Sequence, residues 1–259
     1  MPLWCEFPGR RVSRAAALGI ALYAMPAPHA TLHPVRGLYR APTGTIRGTV
    51  LLSPTLSARR PRFRIYSDVG PGAEPPDTTA ASPGAEMANV VLYLLPDSAG
   101  RLAAATHPSR SQHPAIAQQG ERFVPHVLAV ARGTTVDFPN EDDVYHNVFS
   151  LSSAAVFDLG RYPKGKSRSV TFNRAGIVQV FCHIHSDMSA IVLVLDDPFF
   201  TSPDAMGHFT IDGVPPGDYT VVGWHERVHA VEHRVHVAAG ATTDVQFNIP
   251  LPPPGQETH

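Results

Sequence analysis

The sequence predicts an all-β protein, and three observations carry that expectation. Proline supplies 26 of the 259 residues, about twice the usual ~5%, and it is excluded from helix interiors and central strands. Short segments rich in β-branched and aromatic residues recur between turn signals from Ile116 onward, the spacing of a sandwich or barrel. The sequence shows neither a long amphipathic helix nor a tandem repeat.

Length and charge bound the rest. At roughly 100–200 residues per domain, the chain holds one large domain or two small ones. It is long enough to bury a core without disulfide staples. Hydrophobic residues at 43% and charged residues at 17% exclude a largely disordered chain. Lys plus Arg number 21 against 22 Asp plus Glu, which argues against a broad nucleic-acid-binding surface.

Residues 1–30 read as a signal peptide. Arg10, Arg11 and Arg14 precede an apolar run from Ala15 to Met25, with small residues and prolines up to Ala30. That run is shorter than the roughly 20 residues a membrane helix needs. The expectation is a periplasmic or secreted protein with no transmembrane segment in its mature form. Cleavage removes Cys5 and leaves Cys182 alone, so an intramolecular disulfide cannot explain it.

The elements follow in order. Residues 45–52 form a first strand, and the Pro-, Ala-, Ser- and Arg-rich stretch 53–88 is a long loop or insertion. Asn89 to Leu95 is a short strand closed by Pro96, and 96–114 is loop-like. Strand segments then fall at 123–130, 134–138, 144–150, 155–159, 168–172, 177–182 and 189–195. A second group follows Pro198, at 208–211, 218–224, 233–237 and 243–249, with a Val-Pro-Pro-Gly turn at 214–217. The tail 251–259 is Pro-rich and expected to be frayed.

The stretch that carries chemistry is Phe181-Cys182-His183-Ile184-His185-Ser186-Asp187-Met188. Cys182 shares a strand face with Val178 and Val180, so it points inward. His185 and Met188 sit on a short loop at the sheet end. A fourth candidate, His146, lies upstream beside Asn147. A thiolate, two imidazoles and a distant thioether form a one-electron copper site, and zinc is the competing ion for two His and one Cys.

These residues resemble the cupredoxins, the plastocyanin and amicyanin family. Cys182-x-x-His185-x-x-Met188 is similar to the short amicyanin-type ligand loop, and His146-Asn147 matches the other half of the motif. The resemblance runs from about Ile116 to Leu195. It implies a Greek-key β-sandwich holding one copper ion, with His146, Cys182 and His185 equatorial and Met188 axial. Asn147 would brace the two ligand segments. His183 departs from the pattern and offers a competing imidazole. Multicopper oxidases flank the cysteine with histidines on both sides, but here Phe181 precedes it. A dinuclear copper site needs a second cysteine.

His208 to Gly223 resembles the carboxypeptidase-regulatory-like (transthyretin-like) sandwich. Those domains often open with strands like 44–50 and 90–95, so one expectation is that the second sandwich is split around the first, the alternative being that 45–95 adds extra strands to the copper domain. The domain expectation is therefore 44–95 with the Pro-rich insertion, 115–196 for the copper domain and 207–250 for the smaller β domain. His225, His229, His233 and His236 fall on a hairpin and are expected to be mostly solvated, a weak second metal site being the alternative.

The resemblance implies a non-enzymatic, methylamine-utilisation-type carrier of single electrons, receiving them from a periplasmic partner protein through the edge of His185. A copper carrier using the same ligands, and a non-metal cell-envelope interaction module, stay open as alternatives.

Overall fold

A computed structural model describes residues 42–53, 86–97 and 113–249. The expected leader at 1–30, most of the insertion at 53–88, residues 98–112 and the tail at 251–259 lie outside the described residues. The described chain is all-β. Its strands are β1 (Gly44–Leu52), β2 (Val91–Pro96), β3 (Ala117–Gln118), β4 (Phe123–Val124), β5 (Val127–Ala131), β6 (Thr134–Pro139), β7 (His146–Ser152) and β8 (Ala155–Tyr162). They continue as β9 (Ser167–Phe172), β10 (Gly176–Phe181), β11 (Ser189–Leu195), β12 (Phe200–Thr201), β13 (His208–Val214), β14 (Gly217–His225), β15 (Val228–Val237) and β16 (Thr242–Ile249).

The middle of the chain builds one sandwich. A five-stranded sheet, β5-β11-β10-β7-β8, covers the pair β6-β9 and the short pair β3-β4. Alternating side chains fill the space between them: Val148 from β7, Val178 and Val180 from β10, Val136 and Phe138 from β6, and Phe172 from β9. Cys182 and Met188 belong to the same buried cluster.

Strands from both ends of the described chain build the other sandwich. β1 pairs antiparallel with β13 and parallel with β16. β2 pairs antiparallel with β14 and with β12. The resulting sheets, β13-β1-β16 and β12-β2-β14-β15, enclose Ile46, Val50, Leu92, Leu94, Val221 and Phe247. The strand at 44–52 thus pairs with strands that follow it by more than 150 residues, and the middle sandwich is inserted between them.

The two sandwiches meet on β11, where an unbroken apolar run, Ala-Ile-Val-Leu-Val-Leu, follows Ser189. Such a run is what a strand buried on both faces requires. Ala190, Val192 and Val194 enter the middle core. Ile191, Leu193 and Leu195 face the other way and pack with Val127, Val91, Tyr93, Phe200 and Trp224.

The strand boundaries depart from the sequence reading in several places, three of which matter here. The segment 123–130 is two strands, because Pro125 and His126 interrupt it. β12 is too short to leave a pattern. β15 starts at Val228, so the hairpin is longer than 233–237 predicted.

Candidate metal centre

Two elements bring the donors together. His146, Val148 and Ser150 share one face of β7 and are all buried. His146 opens the strand with a fully buried side chain. β10 buries Val178 and Val180, and continuing that alternation by one step turns Cys182 inward. β10 lies beside β7 in the sheet, with Phe181 opposite Phe149, so the thiol and the imidazole reach the same end of the sandwich.

The loop from Cys182 to Met188 is closed by its own backbone. Cys182 N–H donates to the Met188 carbonyl at 3.3 Å, and Met188 N–H donates to the His185 carbonyl at 3.2 Å. The turn folds His185 back over His146. Their Nδ1 atoms stand 3.1 Å apart, with ring centroids 4.8 Å apart and planes at 63°. Cys182 Sγ lies 4.0 Å from His146 Nδ1. The three donor atoms all fall within 4.8 Å of one another.

Those spacings fit a shared ion. Nitrogen donors bind at ~2.0 Å and thiolate sulfur at ~2.3 Å, which puts donors around one ion roughly 3.3–3.7 Å apart. The two separations from His146 Nδ1, 3.1 Å to His185 and 4.0 Å to Cys182, lie within a few tenths of an ångström of that range, while the donors as a whole span up to 4.8 Å, so the loop would draw in by about 1 Å around an ion. Cys182 is the free cysteine among the described residues, and its soft sulfur beside two imidazoles suits copper or zinc. Met188 is almost fully buried in the cluster that holds Cys182.

The shell around the donors fixes their orientation. His146 Nε2 donates to Asp142 Oδ2 at 2.8 Å, leaving Nδ1 turned towards Cys182 and His185. Burial pushes the Asp142 carboxyl up, but the N–H groups of Glu121 and Gly120, with His146, hold it below the usual carboxylate range. Asn140 pins the loop that carries Asp142: its Nδ2 donates to the Val144 and Tyr162 carbonyls, and its Oδ1 accepts from Asp142 N–H. Tyr162 anchors the far side by donating to the Phe138 carbonyl, and burial pushes its phenol up to about 12.

Asn147 links the two ligand segments. Its Oδ1 accepts from His183 N–H at 3.4 Å, and its Nδ2 donates to Asp158 Oδ1 at 2.6 Å. The Gly160 N–H and then the Asn147 amide hold the Asp158 carboxyl low. Asp142 and Asp158 are residues the sequence reading did not single out. Asp142 sits four residues before His146, but that spacing on a loop has no distinctive signature.

The other histidines take different places. His183 is stacked flat on Phe149, 3.7 Å between centroids and 2° between planes, and it is not part of the donor cluster. Of the hairpin group, His229 and His236 are exposed, and His236 pairs with Asp218 at 2.7 Å. His233 packs edge-on to Phe247. His225 corrects the expectation of solvation: it is buried, 3.3 Å from the equally buried Glu86. The four do not converge on a common point.

Removing the Asp142 carboxylate is expected to weaken metal binding. Asp142→Ala frees the His146 ring and two backbone N–H groups, and loss of such an orienting partner typically costs 10–100-fold in affinity. A metal titration with a competing chelator checks this, and an unchanged affinity would exclude the orienting role.

Comparison with known proteins gives fold-level likenesses over parts of the chain. Residues 197–245 match the family described as polysaccharide lyase family 4, domain II. No curated protein matches the chain. Among solved structures, the chain is similar to a copper-containing nitrite reductase from Thermus scotoductus SA-01, at 26% identity and TM-score 0.32, over 38% of this chain and 25% of that one. It therefore spans a quarter of that enzyme's length. A reduced amicyanin variant is 24% identical with TM-score 0.31, over 40% of this chain and 99% of that one. A purple cupredoxin from Nitrosopumilus maritimus is 23% identical with TM-score 0.29, over 32% of this chain and 99% of that one. These structural neighbours are cupredoxins, and each accounts for less than half of the chain. The case for a metal rests on the donor geometry.

Proposed function

We propose that the protein is an exported mononuclear copper protein that carries single electrons between redox partners, not an enzyme. The observation that supports this most is the convergence of Cys182 Sγ with the Nδ1 atoms of His146 and His185 on a buried β scaffold. Copper held there would supply a one-electron couple. The residues themselves do the rest. His146, Cys182 and His185 would hold the ion, Met188 at the loop end would offer a further thioether donor, and the closed loop would keep the donors from rearranging. Met188 and the surrounding core exclude water.

His185 is the partly exposed member of the triad, so its ring edge is the route for the electron. Exposed apolar residues beside the two histidines in sequence, Val144, Tyr145 and Ile184, offer a docking rim. Carboxylates stand close by: an acidic cleft beside His146 is lined by Gly120, Glu121, Asp142, Asp143 and Val144. A partner with a basic face around its own redox centre fits that rim.

Stopped-flow oxidation of the Cu(I)-loaded chain by cationic and anionic one-electron reagents tests the reading. The cationic reagent is expected to react faster, and its advantage should fade as salt screens the carboxylates. No oxidation by either reagent would reject an electron carrier, and equal, salt-independent rates would reject the acidic docking rim.

A further inference from the structure

We propose that His126 and Glu226 form a clamp by which the second sandwich positions the ligand loop, and so tunes the ion that the loop holds. The tuning rests on the copper reading, whereas the positioning is a property of the chain itself.

His126 stands just before β5 and grips the start of β11 twice. Its carbonyl accepts the Ile191 N–H at 2.7 Å, and its Nδ1 lies 3.0 Å from the Ser189 carbonyl. A carbonyl can only accept, so Nδ1 carries the proton of that bond. On the other side of the ring, Nε2 lies 3.0 and 2.9 Å from the two carboxylate oxygens of Glu226. Glu226 is exactly 100 residues further along the chain, in the turn between β14 and β15. Both side chains are largely screened from water, at 22% and 19% exposure.

The planar ring therefore bridges the hairpin turn of one sandwich to the residue after Met188 in the other. The Met188 carbonyl is already tied to Cys182 N–H, so consecutive carbonyls at the end of the ligand loop are both held. The turn is itself anchored, because His225 is sunk against Glu86 and its Nδ1 accepts the Arg227 N–H at 3.3 Å. Beneath the clamp lies the apolar contact of Val127 and Ile191 with Val91 and Trp224. His126 and Glu226 are positioning residues: they touch no donor atom, and they act through the backbone that carries Met188. A looser arm would weaken thioether donation, which favours the reduced ion and raises the potential.

The test uses the full chain with Glu226→Ala and Glu226→Gln. The glutamine keeps a group that can bond the ring. In metal-free protein, amide exchange at Cys182 and Ile191 is expected to accelerate about tenfold or more in Glu226→Ala. It should stay near the wild-type rate in Glu226→Gln, with amides of β1 and β16 unchanged in both. In copper-loaded protein, Glu226→Ala is expected to raise the potential and alter the EPR spectrum, and Glu226→Gln to restore both. Unchanged exchange in Glu226→Ala would overturn the positioning role. Faster exchange with an unchanged potential would overturn the tuning. Faster exchange in a chain that binds no copper would support the clamp and reject the copper reading.

Discussion

Cys182→Ser is expected to abolish the intense visible absorption of the copper-loaded chain, together with its reversible one-electron couple. The colour of such a centre requires a thiolate donor, and Cys182 supplies the one thiol in the donor cluster. Serine is close in size, so the β10–β11 scaffold should persist. The cost is a hydroxyl placed in a mostly apolar cluster, about 1–3 kcal/mol when a buried polar group is poorly paired. His146 Nδ1, 4.0 Å from the sulfur, is near enough to moderate that cost after a small shift. Absorption and voltammetry of the variant check the prediction, with circular dichroism to show that the sandwich remains folded. A visible band that survives in Cys182→Ser would mean that the sulfur is not a donor.

Gly48→Val is expected to destabilise the second sandwich strongly. Gly48 lies in the middle of β1, the central strand of its sheet, opposite Phe209 on one side and Val245 on the other. A Cβ at this position would land on the Val245 carbonyl and within 3.0 Å of the Phe209 ring. Backbone cannot yield as a flexible side chain can, so β1 and β16 must separate. Overpacking of this kind typically costs 1–3 kcal/mol and occasionally more, and the carbonyl clash puts Gly48→Val at about 3 kcal/mol or above. For a sandwich of this size that corresponds to a fall in Tm of roughly 12–24 °C. Arg47→Ala, one residue away, should change Tm little, because Arg47 and Asp244 form an exposed surface pair. Differential scanning calorimetry separates the two. A Gly48→Val variant that melts with the wild type would mean that β1 does not sit tightly between β13 and β16.

Much of this arrangement was legible in the residues, for physical reasons that differ by element. The donors were readable because three of the four share one loop, where Cys182, His185 and Met188 are spaced by three. The fourth, His146, was legible only through the His146-Asn147 pair that resembles the other half of the family motif. The partners of 44–52 were legible only through resemblance, since nothing local in that strand says that it pairs with residues 208–214 and 242–249. The continuous apolar run of β11 marked a strand but not its two-sided burial, which depends on a second sandwich packing against it. The clamp was not legible at all. His126 lies in a stretch that reads as unbroken strand, and Glu226 falls in a turn of mixed polar residues. Only the tertiary fold brings them together. His225 was read as solvated for the same reason: its burial depends on Glu86, which follows a long insertion. Asp142 was missed because its value lies in the direction of one carboxylate oxygen, a property that no spacing encodes.

The most direct measurement of the central claim is a copper titration of the chain followed by visible absorption and EPR, then stepwise reduction and reoxidation. The account predicts one ion per chain, an intense thiolate-to-copper band, and a spectrum that bleaches and returns reversibly. Stoichiometric copper with only faint colour, or no specific copper at all, would contradict it.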